Sequence, residues 1–96
     1  MTFEEFENSV AASAPEARLS PALAALWWDA KGDWNKAHEF AQQSESADNA
    51  WVHAYLHRKE GDAANAAYWY QRAGRAVFKG PLEEEWRQIA SALLQQ

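Results

Sequence analysis

The amino-acid sequence predicts an all-α fold of about six helices, and three observations predict it. Apolar residues recur at spacings of three and four along most of the 96 residues, as they do on one side of an amphipathic helix. Capping residues precede these segments, and glycine or proline follows most of them. No segment alternates polar and apolar residues in the manner of a β-strand.

Composition bounds the size and the class of the protein. The length indicates a single domain over residues 1–96. Hydrophobic residues make up 48% of the chain, and its six tryptophans supply enough large side chains for a core. The net charge of −5 argues against binding to nucleic acid or to an anionic membrane. The absence of cysteine excludes disulfides and thiolate metal sites.

The N-terminus and the hydropathy pattern predict where the protein is located. Glu4, Glu5 and Glu7 stand where a secretory signal would carry basic residues. No apolar run approaches the ~20 residues of a transmembrane helix. We therefore expect a soluble, cytoplasmic protein that does not enter a membrane.

The first two helices are predicted from their capping residues. Thr2 and Glu5 form a capping-box pattern at the start of a helix over about 2–13. Ser20 is placed to cap a second helix over about 21–31, which has proline at its first position.

The next two helices follow in the middle of the chain. Gly32 is a natural C-cap, and Asp33 is placed to cap a third helix over about 34–44. Asp48 is expected to cap a fourth helix over about 49–60. This fourth helix is apolar around most of its circumference, which predicts a central position with neighbours on several sides.

The last two helices are separated from their predecessors by glycine and proline. Gly61 is expected to end the fourth helix with a positive φ, because a left-handed C-cap favours glycine. Asp62 is placed to cap a fifth helix over about 63–73. A final helix opens at Pro81 and covers about 81–94, with three glutamates in its first turns.

An internal repeat relates the middle four helices. The Gly-Asp pairs at 32–33 and 61–62 are 29 residues apart, and both interrupt helical patterns. Further positions agree at the same offset: Leu23 with Val52, Ala25 with Ala54, Leu26 with Tyr55, Trp27 with Leu56, Ala37 with Ala66, and Phe40 with Trp69. Because these matches coincide with the predicted helix starts and ends, they predict two helix hairpins, at about 20–46 and 48–75.

The repeat resembles the tetratricopeptide repeat. That family carries glycine at the turn between its two helices, then alanine, an aromatic residue and alanine at five, nine and twelve positions further on. The second unit fits this pattern with Gly61, Ala66, Tyr70 and Ala73. The first unit fits only the first two positions, and the 29-residue period is shorter than the ~34 residues of the family.

The resemblance implies both an architecture and a class of function. The outer helices, 2–13 and 81–94, would act as caps on the two repeats. The chain would be a non-catalytic scaffold that recruits a protein or a peptide. It is also similar to a group of small bacterial proteins, a likeness that implies no activity.

By the same resemblance, ligands contact the inner side of the first helix of each unit. The corresponding residues here are Leu26, Asp29, Trp51, Tyr55, Arg58 and Lys59. Trp51 and Tyr55 would supply an apolar floor, while Arg58 would grip a carboxylate of the partner. The alternative is that these aromatic residues belong to the core and that the N-terminal helix covers them with its own apolar side.

His53 and His57 are the candidate metal ligands. They are four residues apart on the predicted fourth helix and therefore share one side of it. The H-E-x-x-H pattern is absent because Ala54 follows the first histidine. Glu60 or His38 would serve as a third ligand, but nothing in the sequence places either one nearby. The sequence favours a structural histidine pair, and we expect no specific metal binding.

Three functional hypotheses stay open. The resemblance favours a binding module for a protein or peptide. The first alternative is a small-molecule or metal-binding protein, or an enzyme, that uses His53 and His57. The second is a self-associating structural protein whose groove is filled by its own terminal helix. No nucleophile elbow, P-loop or dinucleotide motif occurs, so we expect no catalytic residue and no cofactor.

Overall fold

The computed structural model describes residues 1–96 and contains six α-helices and no strand, which confirms the predicted fold class. The helices are α1 (Phe3–Ser9), α2 (Pro21–Ala30), α3 (Trp34–Ala41), α4 (Ala47–Glu60), α5 (Ala63–Ala73) and α6 (Leu82–Leu94). No helix combines the length and the hydropathy that a transmembrane span requires.

Most helices begin where a local capping interaction was predicted. The capping box at the start of α1 is complete, with Thr2 and Glu5 each bonded to the backbone of the other. Ser20, Asp33 and Asp62 accept hydrogen bonds from the third backbone N–H beyond them. Each of these bonds satisfies a donor that the helix itself leaves free.

Two predicted helix ends and one predicted start were wrong. The first helix ends at Ser9 because the chain then tightens into three successive i→i−3 hydrogen bonds. The third helix ends at Ala41, where the side-chain amide of Asn49 donates to the carbonyls of Phe40 and Ala41. The fourth helix starts at Ala47, because Ser46 provides the cap that was assigned to Asp48.

Helices α2 and α3 form one hairpin, and α4 and α5 form a second one. The turns between them contain Gly32 and Gly61, which have φ values of 87° and 92°. The predicted positive φ at Gly61 is thereby confirmed. In this conformation the backbone reverses within two residues, so each second helix packs directly on the first.

Helix α4 lies at the centre of the molecule and packs against α2, α3, α5 and α6. Every residue from 49 to 57 is buried. The apolar circumference of this helix therefore finds neighbours on all sides, as expected from its sequence.

The C-terminal helix α6 covers the side of the hairpins formed by α2 and α4. Its Trp86, Ile89 and Leu93 are buried, and the indole N–H of Trp86 donates to the carbonyl of Leu26 at 3.0 Å. The sequence had offered the N-terminal helix as the cover for this side. Instead, α1 packs on α6, with Phe6 stacked on Trp86 at a centroid distance of 5.7 Å.

Candidate functional site

Helix α4 carries candidate functional residues on two different sides. Trp51, Tyr55 and Arg58 follow one another at spacings of four and three and share the side that faces α6. His53 and His57 share the other side, which faces α3 and α5. The structure therefore separates the two sets of residues that the sequence singled out.

The predicted partner-binding residues do not form an open groove. Leu26, Asp29, Trp51 and Tyr55 are buried, and only Arg58 and Lys59 reach the surface, with 22% and 39% of their side chains exposed. The apolar floor expected from Trp51 and Tyr55 is covered because α6 packs on this side of α4. Binding of a partner to that floor would require α6 to move away.

Arg58 does grip a carboxylate, but the carboxylate belongs to the same chain. Its guanidinium donates to Glu85 of α6 at 3.0 Å and also to the carbonyl of Gly80. The hydroxyl of Tyr70 donates to the other oxygen of Glu85. Arg58 is thus occupied in holding α6 and is not available to an acidic partner.

Glu85 is a buried carboxyl whose charge is stabilised by these two donors. Burial raises the pKa of Glu85, while the hydrogen bond from Tyr70 and the charge of Arg58 act in the opposite direction. Burial, together with the hydrogen bond to Glu85, also raises the pKa of Tyr70. The arrangement joins α4, α5 and α6 through one polar cluster in the interior.

Asp29 forms a second buried polar cluster on the same side of α4. Its two carboxylate oxygens accept hydrogen bonds from the Tyr55 hydroxyl and from the Lys59 ammonium group, both at 2.8 Å. Burial and the charge of Asp29 raise the pKa of Tyr55, so this hydroxyl keeps its proton and acts as a donor. Both oxygens of Asp29 therefore have a partner despite their burial.

A cleft of about 450 Å³ lies beside the Asp29 cluster. It is lined by residues of α1, α2, α4 and α6 and by Val10, which follows α1: Glu7, Val10, Asp29, Ala30, Tyr55, Lys59, Leu82, Glu83, Trp86 and Arg87. Three of the predicted partner-binding residues, Asp29, Tyr55 and Lys59, are therefore brought together here. The other three are not: Leu26 lies in the core, Arg58 holds Glu85, and Trp51 lies under the guanidinium of Arg75, 3.6 Å from the ring centroid.

A cluster of all three histidines of the chain lies on the other side of α4. His38 of α3 joins His53 and His57, and its Nε2 is 2.9 Å from the Nε2 of His53. One ring nitrogen from each histidine lies within 4.8 Å of the others. The sequence named His38 as a possible third ligand. The contact between α3 and α4 places it beside the other two.

Neighbouring side chains orient the three imidazole rings. Trp34 is stacked on His38, with ring centroids 4.9 Å apart, and Trp69 is stacked on His53 at 3.9 Å. The Nδ1 of His57 is 2.6 Å from a carboxylate oxygen of Glu60. The sequence named Glu60 as a possible ligand of the same cluster, but it did not indicate that Trp34 and Trp69 would stack on the imidazole rings.

His38 and His53 lie in surroundings that favour the neutral form. Burial, and then the proximity of His38 and His57, lower the pKa of His53 to about 4. Burial also lowers the pKa of His38. At neutral pH these two imidazoles therefore keep a lone pair on one ring nitrogen, as a metal ligand must.

Comparison with known proteins does not add to this description. No protein-family model, curated protein or solved structure matches the chain. A functional assignment consequently depends on the geometry of the cleft and of the histidine cluster.

Proposed function

We propose that this protein is a non-catalytic, tetratricopeptide-like binding module that takes a short peptide segment of a partner protein into the cleft beside Asp29. The observation that carries the proposal is the lining of the cleft, in which Asp29, Tyr55 and Lys59 of the repeat helices meet residues of both terminal helices. Such a site combines an apolar wall, formed by Val10, Leu82 and Trp86, with a few fixed polar groups, which is the usual composition of a binding pocket.

The dimensions of the cleft suit part of a peptide. Its volume of about 450 Å³ lies within the ~300–1,000 Å³ typical of pockets for small ligands. Val10, Leu82 and Trp86 supply apolar surface there. One large apolar side chain of a partner therefore fits, with the neighbouring residues of the peptide lying over the rim.

The charges at the rim favour a basic residue next to that apolar side chain. Lys59 is paired with Asp29, and Arg87 is paired with Glu7 at 3.4 Å. Glu83 is exposed and has no ion-pair partner. An exposed ion pair contributes only about 0–1 kcal/mol, so burial of the apolar side chain would dominate affinity and Glu83 would add selectivity.

A displayed library of short peptides, selected against the purified protein, tests the proposal. We expect the selected peptides to contain an aromatic or large aliphatic residue beside lysine or arginine. In ¹⁵N-labelled protein they should shift the amide signals of Val10, Tyr55 and Trp86. Selection of no peptide, or shifts confined to another surface, would contradict the proposal.

A matched pair of substitutions makes this experiment specific. Ala30 is exposed and lines the cleft, whereas Ala67 is exposed on α5 and does not. We expect Ala30→Trp to fill the cleft and abolish peptide binding, and Ala67→Trp to leave binding intact. Both variants should melt close to the wild-type temperature. Equal binding by the two variants would show that the cleft is not the site.

A second candidate function, metal binding, is favoured by the histidine cluster alone. No specific observation favours self-association over these two.

A further inference from the structure

We propose that His38, His53 and His57 form a binding site for one divalent transition-metal ion of the zinc class. The site lies on the side of α4 away from the cleft, so it does not depend on peptide binding. The proposal also departs from the expectation drawn from the sequence, which favoured a structural pair of histidines without bound metal.

The positions of the ring nitrogens carry the proposal. In a tetrahedral site with metal–nitrogen bonds of about 2.0–2.1 Å, neighbouring ligand nitrogens lie about 3.3–3.4 Å apart. Here the closest pair, from His38 and His53, is 2.9 Å apart, and no pair of ligand atoms exceeds 4.8 Å. The required separation lies between these values, so small ring rotations bring three nitrogens around one ion.

A purely structural explanation accounts for only part of the cluster. Two neutral imidazoles 2.9 Å apart share a single N–H···N hydrogen bond, which uses one nitrogen of His38 and one of His53. That bond does not require a third imidazole. His57 nevertheless converges on the same place, from the position one helical turn beyond His53.

The carboxylate of Glu60 selects the nitrogen that His57 can offer. When Nδ1–H donates to Glu60, Nε2 carries the free lone pair. The nearest donor to that nitrogen is the side-chain amide of Asn65, at 3.4 Å, which is a long contact. A carboxylate behind a histidine ligand is a recurring feature of zinc sites, where it fixes the ring and strengthens the ligand.

The surroundings hold the other two rings before any metal arrives. Trp34 and Trp69 stack on His38 and His53, with interplanar angles of 10° and 16°. The ligands therefore lose little conformational freedom on binding. This preorganisation favours affinity in the same way as it does for other ligands.

The chemistry of the ligands selects the metal. Three neutral imidazoles suit zinc, copper, nickel and cobalt, whereas magnesium and calcium prefer oxygen ligands. Three protein ligands leave the fourth position of a tetrahedral ion free, and His38 is partly exposed at the edge of the cluster. A site of this kind is open, unlike the closed four-ligand sites that serve only structure.

Titration of tag-free, chelator-stripped protein with zinc in competition with a chromophoric chelator tests the proposal. We expect one zinc ion per chain with a Kd in the micromolar range or below. Cobalt should give the visible absorption of a tetrahedral complex. The chain has no cysteine, so no thiolate site competes for these metals. A second group of potential ligands, His57, Glu60 and Asp62, shares His57 with the proposed site. It does not include His38, so loss of binding in a His38 variant distinguishes the two sites.

Substitutions then identify the ligands. We expect His38→Gln to weaken zinc binding by more than the roughly 100-fold upper end seen for outer-shell changes, because it removes a ligand. Glu60→Gln should weaken binding by about 10–100-fold, because it removes the group that orients His57. Glu39→Gln is the matched control, since it removes an exposed carboxylate next to His38 without touching the cluster.

Two results would overturn the proposal: zinc binding that is not stoichiometric, or an affinity that is unchanged in His38→Gln. Circular dichroism shows whether each variant is folded. If His38→Gln does not fold, NMR of the wild-type histidine rings decides instead. One equivalent of zinc must then shift the ring signals of all three histidines, and shifts in fewer would contradict the site.

Discussion

The two sides of α4 use buried polar side chains in contrasting ways. On the side facing α6, the carboxylates of Asp29 and Glu85 each accept hydrogen bonds from one cation and one tyrosine. Charge and hydrogen-bonding capacity are balanced there. On the other side, three imidazoles converge, and only His57 has an acidic partner.

The contrast indicates how to separate structural from functional polar groups in an interior. A buried carboxylate that is paired with a cation and accepts a hydroxyl hydrogen bond has its charge compensated and its oxygens satisfied. It therefore serves to hold the packed helices together. In the histidine cluster two imidazoles share one hydrogen bond, and the third receives only a long contact from an amide, so these nitrogens are weakly satisfied and can turn to another group. The first arrangement holds α6 against α4, and the second is the arrangement that we propose binds an ion.

Arg58→Met removes the cation that is paired with Glu85 on the side facing α6, and it should cause the largest loss of stability. It leaves the carboxyl of Glu85, only 1% exposed, without its cation. Loss of one partner of a buried ion pair costs about 3–5 kcal/mol, and we expect the lower part of that range because Arg58 is partly exposed. Urea unfolding at pH 7 measures the loss. Zinc affinity should not change.

The pH dependence of this variant provides the control. Burial raises the pKa of Glu85, and removal of Arg58 should raise it further. The contribution of a carboxyl with a raised folded-state pKa is present at acidic pH and is lost as pH rises through that pKa. The deficit of Arg58→Met should therefore shrink in acid and largely disappear in the double variant with Glu85→Gln. A deficit independent of pH would contradict this account.

Acidification should lower the contribution of His53 to stability, whereas it favours the contribution of Glu85. The pKa of His53 is about 4 in the folded chain, against 6.5 as its ordinary value. Its contribution to stability is therefore present above pH 6.5 and is lost as pH falls towards 4. At about 1.4 kcal/mol per pKa unit, the full loss is roughly 3–4 kcal/mol.

Ring-proton NMR of the metal-free protein measures the midpoint for His53 directly. Between pH 7 and pH 5 the wild type should lose more of its free energy of unfolding than His53→Gln, because the variant lacks the imidazole that titrates. A midpoint near 6.5 would mean that water reaches the ring and that the cluster is not preorganised.

Gly61→Val should lower the stability of the whole fold through backbone strain alone, with no steric clash on either side of α4. A Cβ at Gly61 meets no atom within 4 Å, so the cost comes from its φ of 92°. A left-handed conformation costs a residue with a side chain about 1–2 kcal/mol, and more when that side chain is β-branched. Thermal unfolding of Gly61→Val and of Gly61→Asn, which tolerates this conformation, tests the prediction. Equal melting temperatures for the two variants would disprove it.

Lys59→Gln should have the smallest effect. Lys59 is 39% exposed, and the Tyr55 hydroxyl still donates to Asp29 when the ammonium group is gone. Asp29 is buried, but its cation is partly solvated and its hydroxyl partner remains, so we expect a loss of about 1 kcal/mol, at the upper end of the range for exposed ion pairs. Urea unfolding measures it. A loss as large as that of Arg58→Met would mean that Asp29 depends on this cation as strongly as Glu85 depends on Arg58.

The sequence by itself determined the helices and most of their ends. Thr2, Ser20, Asp33 and Asp62 cap helices through bonds to the third residue beyond them, and Gly61 turns the chain through its own φ. Such interactions span three or four residues, so a local pattern contains both partners. For the same reason α5 has the predicted bounds.

Only the tertiary structure decided which residues meet across helices. Arg58 and Glu85 are 27 residues apart, and His38 and His53 are 15 apart. Pairing at such distances depends on how two helices cross and rotate against each other, and these angles follow from the packing of the whole core. The sequence could therefore place His53 and His57 on one side of α4, but it could not place His38 beside them. Nor could it decide that α6, and not α1, would cover Trp51 and Tyr55.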